Sequence, residues 1–368
     1  MEYKMIFPAP VIPYLCFPSN TTAMKIIFRI TVLLILIVGA LVVRTLWYAN
    51  VFKQFTPQSS GTEQLIPGMI GAEDITMAGD GIALISSYDR RGVGAGKAVK
   101  GAIFRLDLNN TPPTFTDLTA GFDQPDFRPH GISLYTDPAD GTRWLFAVNH
   151  RAGKHVVEIF EYRDSVLIHS ESIESELFKS PNDLVGYGKR SFYFTNDHNS
   201  SGEDVSHLKD FLVIGTGEIG RYENGKTETL ATGIRYANGI TISPDGKLLY
   251  VAACTDRAVY VYNREPFEKV RTINCGTGVD NLEWDEEGNL WIGAHPKLLM
   301  FLEHSKDPAK RSLSQVLQIQ LQNPEQPVVK QVYLNDGNPL SGSSVGTVWK
   351  NKLLVGGVFD DGVLVVER

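Results

Sequence analysis

With 368 residues, 43% of them apolar, the chain is long enough to bury a large core, and 34 glycines beside 10% aromatics suit strands and tight turns better than a helical bundle. A net charge of −7 without any Lys/Arg stripe excludes a surface that tracks nucleic-acid phosphates and favours cations as ligands. The cysteines Cys16, Cys254 and Cys275 are too few for a disulfide framework, and Cys254 and Cys275 stand either as a pair or as two buried thiols.

Residues 1–23 read as an irregular, Pro-containing extension, and Met24-Lys25 resembles a more natural start. Residues 24–48 follow as a transmembrane signal anchor. From Ile26 to Val43 the run IIFRITVLLILIVGALVV is almost wholly apolar, with Lys25 and Arg29 on its N-terminal side and Trp47 and Tyr48 beyond it. The alternative is a cleaved signal peptide, but no small-x-small cleavage site follows. Positive charge ahead of the span puts the N-terminus inside and the remaining chain on the extracytoplasmic side, whether extracellular, periplasmic or in a secretory lumen. Residues 49–62 form a linker, and residues 63–368 one β-rich domain.

In that domain one pattern returns six times: two small or polar residues, a strand, a turn rich in Gly, Asp, Asn or Lys, and a second, strongly apolar strand. The copies open at Glu73-Asp74-Ile75, His130-Gly131-Ile132, Asn182-Asp183-Leu184, Asn238-Gly239-Ile240, Asp280-Asn281-Leu282 and Ser343-Ser344-Val345. Their spacing of about 40 to 65 residues is that of a four-stranded propeller blade. The expected fold is therefore all-β, a six-bladed β-propeller behind an N-terminal anchor helix.

In such a ring the opening residues of each inner strand meet at one mouth of the central channel. Glu73, Asp74, His130, Asn182, Asp183, Asn238, Asp280, Asn281 and Ser343 share that register. A single Asn or Asp before a strand is ordinary turn chemistry. The same register filled with carboxylates and amides in four of six copies departs from it, and a thiol-free oxygen set selects calcium over zinc or copper. Other motifs fail on context. Gly215 to Gly220, GTGEIG, matches a dinucleotide fingerprint but precedes a strand pattern with an Asn-Gly turn. Gly342 to Gly346 matches a nucleophile elbow but opens the sixth hairpin. Gly92 to Lys97, GVGAGK, lacks the Ser or Thr of a phosphate loop and reads as a loop.

The strings GAEDI at Gly71, PHGIS at Pro129, VNH at Val148, PNDL at Pro181, TNDH at Thr195, ANGITISPDGKLLYVA at Ala237, VDNL at Val279, WIGAHP at Trp291 and SGSSV at Ser341 resemble the paraoxonase (arylesterase) family across residues 63–368. The resemblance implies a calcium-dependent carboxylic ester hydrolase acting on lactones and aryl esters. It implies two calcium ions. A catalytic ion would be held at Glu73, Asn182, Asn238, Asp280 and Asn281, and a structural ion at Asp74, Asp183 and the backbone carbonyl of Ile132. It also implies a histidine dyad at His130 and His150, with His198 and His295 near the channel.

An imidazole titrates near neutrality, so His130 is the candidate base and His150 its orienting or relaying partner. Glu73 or Asp280 is the alternative base, and a purely structural role for both histidines the other reading. The chain departs from the family where a disulfide would join its ends, since no cysteine stands near Glu63 or Val366, and Ala294 replaces the family's free cysteine. The loop YDRRGVGAGKAVK also differs from the family's aromatic lid, so substrate preference does not transfer. Competing readings are a non-catalytic membrane-anchored binding propeller and a gluconolactonase-like or strictosidine-synthase-like propeller with different chemistry.

Overall fold

A computed structural model describes residues 21–59, 61–163, 165–200, 209–210 and 212–368. Residues 1–20 of the expected extension lie outside them. The chain falls into two units, residues 1–44 and 45–368. The first contains most of helix α1 (Thr21–Tyr48), which starts three residues ahead of the expected Met24. By length and composition α1 is long and apolar enough to cross a membrane.

The second unit is the expected propeller. Its strands form six four-stranded antiparallel sheets. The inner strands are β2 (Ala72–Gly79), β6 (Pro129–Thr136), β10 (Pro181–Gly188), β14 (Ala237–Ile242), β18 (Gly278–Trp284) and β22 (Ser343–Trp349). Each packs against the next and β22 against β2, which closes the ring. Both faces of every sheet are covered by neighbouring blades, which is why the second strand of each hairpin is continuously apolar. Between the last and first blades, for example, Ile75, Ala83 and Leu106 pack with Val345, Leu354 and Val363.

Ring closure rests on strand pairing, as the missing cysteines require. The first strand, β1 (Thr62–Ile70), completes the sixth blade beside the last, β24 (Asp361–Glu367), with Thr62 to Ile66 opposite Glu367 to Val363. Glu63 faces Val366, the two residues near which the resemblance would place cysteines. Met69, Leu364 and Val365 are buried beneath this seam. Burial of roughly 1.5–3 kcal/mol per large apolar side chain makes such a seam a workable substitute for a covalent link.

Two of the rejected motifs lie where strands leave no room for their chemistry. The GTGEIG segment runs into strand β12 (Gly217–Glu223), and the SGSSV segment leads into β22. Cys254 and Cys275 are free thiols, burial raising the first well above its ordinary range and pushing the second up to about 12. Two helices correct the reading. The loop expected around GVGAGK begins as one helical turn, α2 (Arg90–Gly94), whose cap Asp89 accepts from Gly92 N. A nine-residue helix, α3 (Leu298–Lys306), follows the WIGAHP string, where no helical pattern was apparent.

Candidate active site

The opening residues of the six inner strands do not follow the ladder. While Val279 to Leu282 advances three places, the partner strand moves only from Ala294 to Ile292, and the same offset occurs at Pro129/Ile132, Pro181/Leu184 and Ala237/Ile240. Single extra residues, Glu73 and Ser344, do the same in β2 and β22. Every inner strand thus carries one extra residue at the same level. Such a bulge unpairs its residues from the ladder and re-aims them, here toward the axis.

Hydrogen bonds join these bulges around the ring. Asp74 Oδ2 accepts from Ile132 N at 2.8 Å, and Asp183 Oδ2 from Ile240 N at 2.7 Å. Thr195 Oγ1 donates to Asn238 O at 2.7 Å and Ser344 Oγ to Glu73 O at 2.5 Å. Asn281 Nδ2 reaches from the fifth blade to the first, donating to Glu73 O at 3.1 Å and Glu73 Oε1 at 2.9 Å.

The glycines of HGI and NGI permit this closeness. A Cβ on Gly131 would lie 2.4 Å from Asp183 Oδ1 and 2.7 Å from Asn182 O, and one on Gly239 would lie 2.6 Å from Asp280 O and 2.7 Å from Asn281 Cα. Since those neighbours include backbone, Gly239→Ala is expected to destabilise the fold by about 3 kcal/mol. Thermal unfolding tests this, and an unchanged midpoint would mean the fourth and fifth bulges do not touch.

Glu73, Asn182, Asn238, Asp280 and Asn281 are all buried. Each keeps one side-chain oxygen without a hydrogen-bond partner among the described residues: Glu73 Oε2, Asn182 Oδ1, Asn238 Oδ1, Asp280 Oδ1 and Asn281 Oδ1. Buried polar atoms are rarely left unpaired, so partnerless oxygens at one level of the ring form a donor set that fits a hard cation such as calcium. Among the described residues no three His, Cys, Asp or Glu side chains cluster as a metal site. Amides supply the other donors, which suits an oxygen-seeking ion and not a thiol- or imidazole-bound one.

The carboxyls at this level of the ring are driven apart by their surroundings. Burial alone would raise the Glu73 carboxyl, but His130, Arg90 and Asn281 outweigh it and hold Glu73 at about 2. Burial, against the pull of His295, raises Asp280. Asp74 is pushed well up by burial and by Glu73, and Asp183 by burial and by Asp74. The carboxylate oxygens of Asp74 and Asp183 all accept backbone amides, from Ile75 and Ile132 and from Leu184 and Ile240. A cavity of about 610 Å³ reaches Asp74, Asp183 and Glu283 from the side of the ring away from the histidines.

His130 Nδ1 lies 2.7 Å from His150 Nε2, and His130 Nε2 lies 3.4 Å from Glu73 Oε1. Burial above all, with the cations of Arg90 and Arg128 adding to it, holds His150 well below its ordinary value, so it is neutral. His295 Nε2 contacts Asp280 Oδ2 at 2.6 Å, while its ring stacks on Phe301 of α3. His198 sits between Asp197 Oδ1 at 2.8 Å and Asp210 Oδ2 at 2.9 Å.

Burial would lower His198, but those two carboxylates push it up to about 10. A folded pKa above the unfolded one gives stability that is complete below about pH 6.5 and lost as pH rises through about 10. The stability gap between the native chain and His198→Gln should therefore narrow across that range in denaturant titrations. A constant gap would contradict the assignment.

Sequence reasoning missed three participants. His155, opposite His150 across the β7 (Arg143–Arg151) and β8 (Lys154–Arg163) hairpin, places its Nδ1 2.8 Å from His150 Nδ1. The short turn in HRAGKH was the available signal. Arg90 stacks over Tyr88 with Nη2 3.9 Å from Glu73 Oε2. A latch ties α2, α3 and the sixth blade: Arg91 donates to Phe359 O and His304 O, and His304 and Arg311 both bind Asp360. No local pattern announces these arginines.

Comparison with known proteins agrees with this architecture. The family model described as Arylesterase matches residues 56–365. Serum paraoxonase/arylesterase 2 of Gallus gallus is 38% identical over 322 residues, 84% of this chain and 90% of that protein. Serum paraoxonase/arylesterase 1 of Homo sapiens is 34% identical over 323 residues, again 84% and 90%. In fold, the chain is similar to a luciferin-regenerating enzyme at a TM-score of 0.53 and 13% identity, covering 84% of this chain and 96% of that one. It is also similar to regucalcin, a calcium-binding protein of Agrobacterium tumefaciens, at 0.50 and 14%, covering 85% and 95%. Matching runs through all six blades, and the chain belongs to the arylesterase family.

Proposed function

We propose that the chain is a membrane-anchored, calcium-dependent hydrolase of lactones and aryl esters, with α1 as an uncleaved single-pass anchor and the propeller on the extracytoplasmic side. Lys25 and Arg29 at the start of α1 support that orientation. The reading is carried by the coincidence, at one mouth of the ring, of five buried oxygens that accept no hydrogen bond among the described residues with a hydrogen-bonded histidine pair. A surface used only for binding has no need of both.

Glu73, Asn182, Asn238, Asp280 and Asn281 would hold a catalytic calcium, and Asp74, Asp183 and the Ile132 carbonyl a structural one. A bound calcium supplies a Lewis acid that polarises an ester carbonyl and offsets the charge of an oxyanion. The chain's own residues do the rest. His130, with Nε2 toward Glu73, takes a proton from the attacking water and returns it to the leaving oxygen as the acyl–oxygen bond breaks. Neutral His150 orients that ring through the 2.7 Å contact. His295 holds one oxygen of Asp280 and leaves the other for the ion.

The test is hydrolysis of a panel of lactones and aryl esters by the detergent-solubilised full chain, with and without a calcium chelator. Turnover of both classes is expected, abolished by chelation and restored by calcium. Turnover persisting in excess chelator would remove the metal from the reaction. No turnover with calcium present would leave a binding propeller, and turnover of sugar lactones alone a gluconolactonase-like one.

A further inference from the structure

The histidine pair does not end at His150. His150 uses both ring nitrogens, Nε2 toward His130 Nδ1 at 2.7 Å and Nδ1 toward His155 Nδ1 at 2.8 Å. The His150 and His155 rings stand perpendicular, with centroids 4.8 Å apart. His155 is half-buried near the turn of its hairpin, and its ring makes no other hydrogen bond among the described residues. Three imidazoles therefore connect Glu73 at the axis to the propeller surface, in the order His130, His150, His155.

We infer that His155 is the solvent terminus of a three-imidazole proton relay, a positioning residue acting on the reaction through His150 and His130. This rests on the reading of His130 as the base. A neutral imidazole donates from one nitrogen and accepts at the other, so the contacts allow only two orientations of the chain. In the first, His130 Nδ1–H donates to His150 Nε2 and His150 Nδ1–H donates to His155 Nδ1. His130 Nε2 is then bare toward the site.

When water attacks, its O–H bond breaks and the proton goes to His130 Nε2. The proton on His130 Nδ1 passes to His150 Nε2, that on His150 Nδ1 passes to His155 Nδ1, and the proton on His155 Nε2 leaves to solvent. The chain is now in its second orientation, with His130 Nε2–H facing Glu73 Oε1. Breaking of the acyl–oxygen bond reverses each transfer: solvent protonates His155 Nε2 and the leaving oxygen takes the proton from His130 Nε2. One proton leaves and one returns, and the chain is reset without a lasting charge on buried His150. Burial, opposed by Asp197, holds His155 below its ordinary value, so it too rests neutral.

The test compares the full-length native chain with His155→Ala and His155→Gln, on an aryl ester with calcium present, at low and high buffer concentration and with added imidazole. At low buffer kcat should fall about tenfold in both variants while KM holds, and free imidazole should restore most of the loss. A fall that neither imidazole nor buffer repairs makes His155 structural, and native kcat in both variants makes it idle; either overturns the relay. If His130→Gln is inactive while the His155 variants are normal, only the relay is lost. A native chain inactive on every ester sinks the underlying reading instead.

Discussion

Asn281→Ala should lose both calcium and catalysis, with ester hydrolysis falling by at least about a thousandfold, or roughly 4 kcal/mol of transition-state stabilisation. Asn281 is buried on the fifth blade, yet its amide nitrogen donates to the backbone carbonyl and side-chain Oε1 of Glu73 on the first, while its own Oδ1 is partnerless. Alanine removes one oxygen of the donor set and the donor that aims a second. It also leaves a buried carboxylate short of a hydrogen bond, at about 1–3 kcal/mol. Calorimetric calcium titration beside hydrolysis checks both losses. A variant that still binds calcium and turns over at the native rate would show that the ring's oxygens do not act together.

His130→Gln should leave calcium binding within about tenfold of native and lower kcat by about 10²–10⁴, the usual contribution of a positioned general base. Separation of the two effects is the point, because His130 touches the donor set only through Glu73 Oε1 at 3.4 Å, whereas its other nitrogen is committed to His150 at 2.7 Å. Glutamine keeps a polar group there without a proton-accepting ring nitrogen. Hydrolysis within about threefold of native would move the role of base to Glu73 or Asp280.

Much of the fold was legible because propeller information is repeated locally. Each copy states a polar pair, a strand, a turn and an apolar strand, and a ring is the arrangement that buries both faces of every such sheet. The same register exposed Glu73, Asn182, Asn238, Asp280 and Asn281 as equivalents, so their shared level in the ring could be read from spacing alone. The helices α2 and α3 were not legible, being too short for a periodic signal, and neither was Arg90, whose partner Glu73 lies across a hairpin.

By itself, then, the sequence determined the blade count, the apolar N-terminal span and the shared register of Glu73, Asn182, Asn238, Asp280 and Asn281, all of which depend on patterns repeated along the chain. Tertiary structure decided which oxygens are left partnerless, that a bulge lifts them from the ladder, and that His155 extends the histidine pair. The physical reason is that these outcomes are set by hydrogen-bond competition among side chains from different strands and blades. Asn281 and Glu73, 208 positions apart, illustrate it, since only the closed ring settles which of their oxygens has a partner.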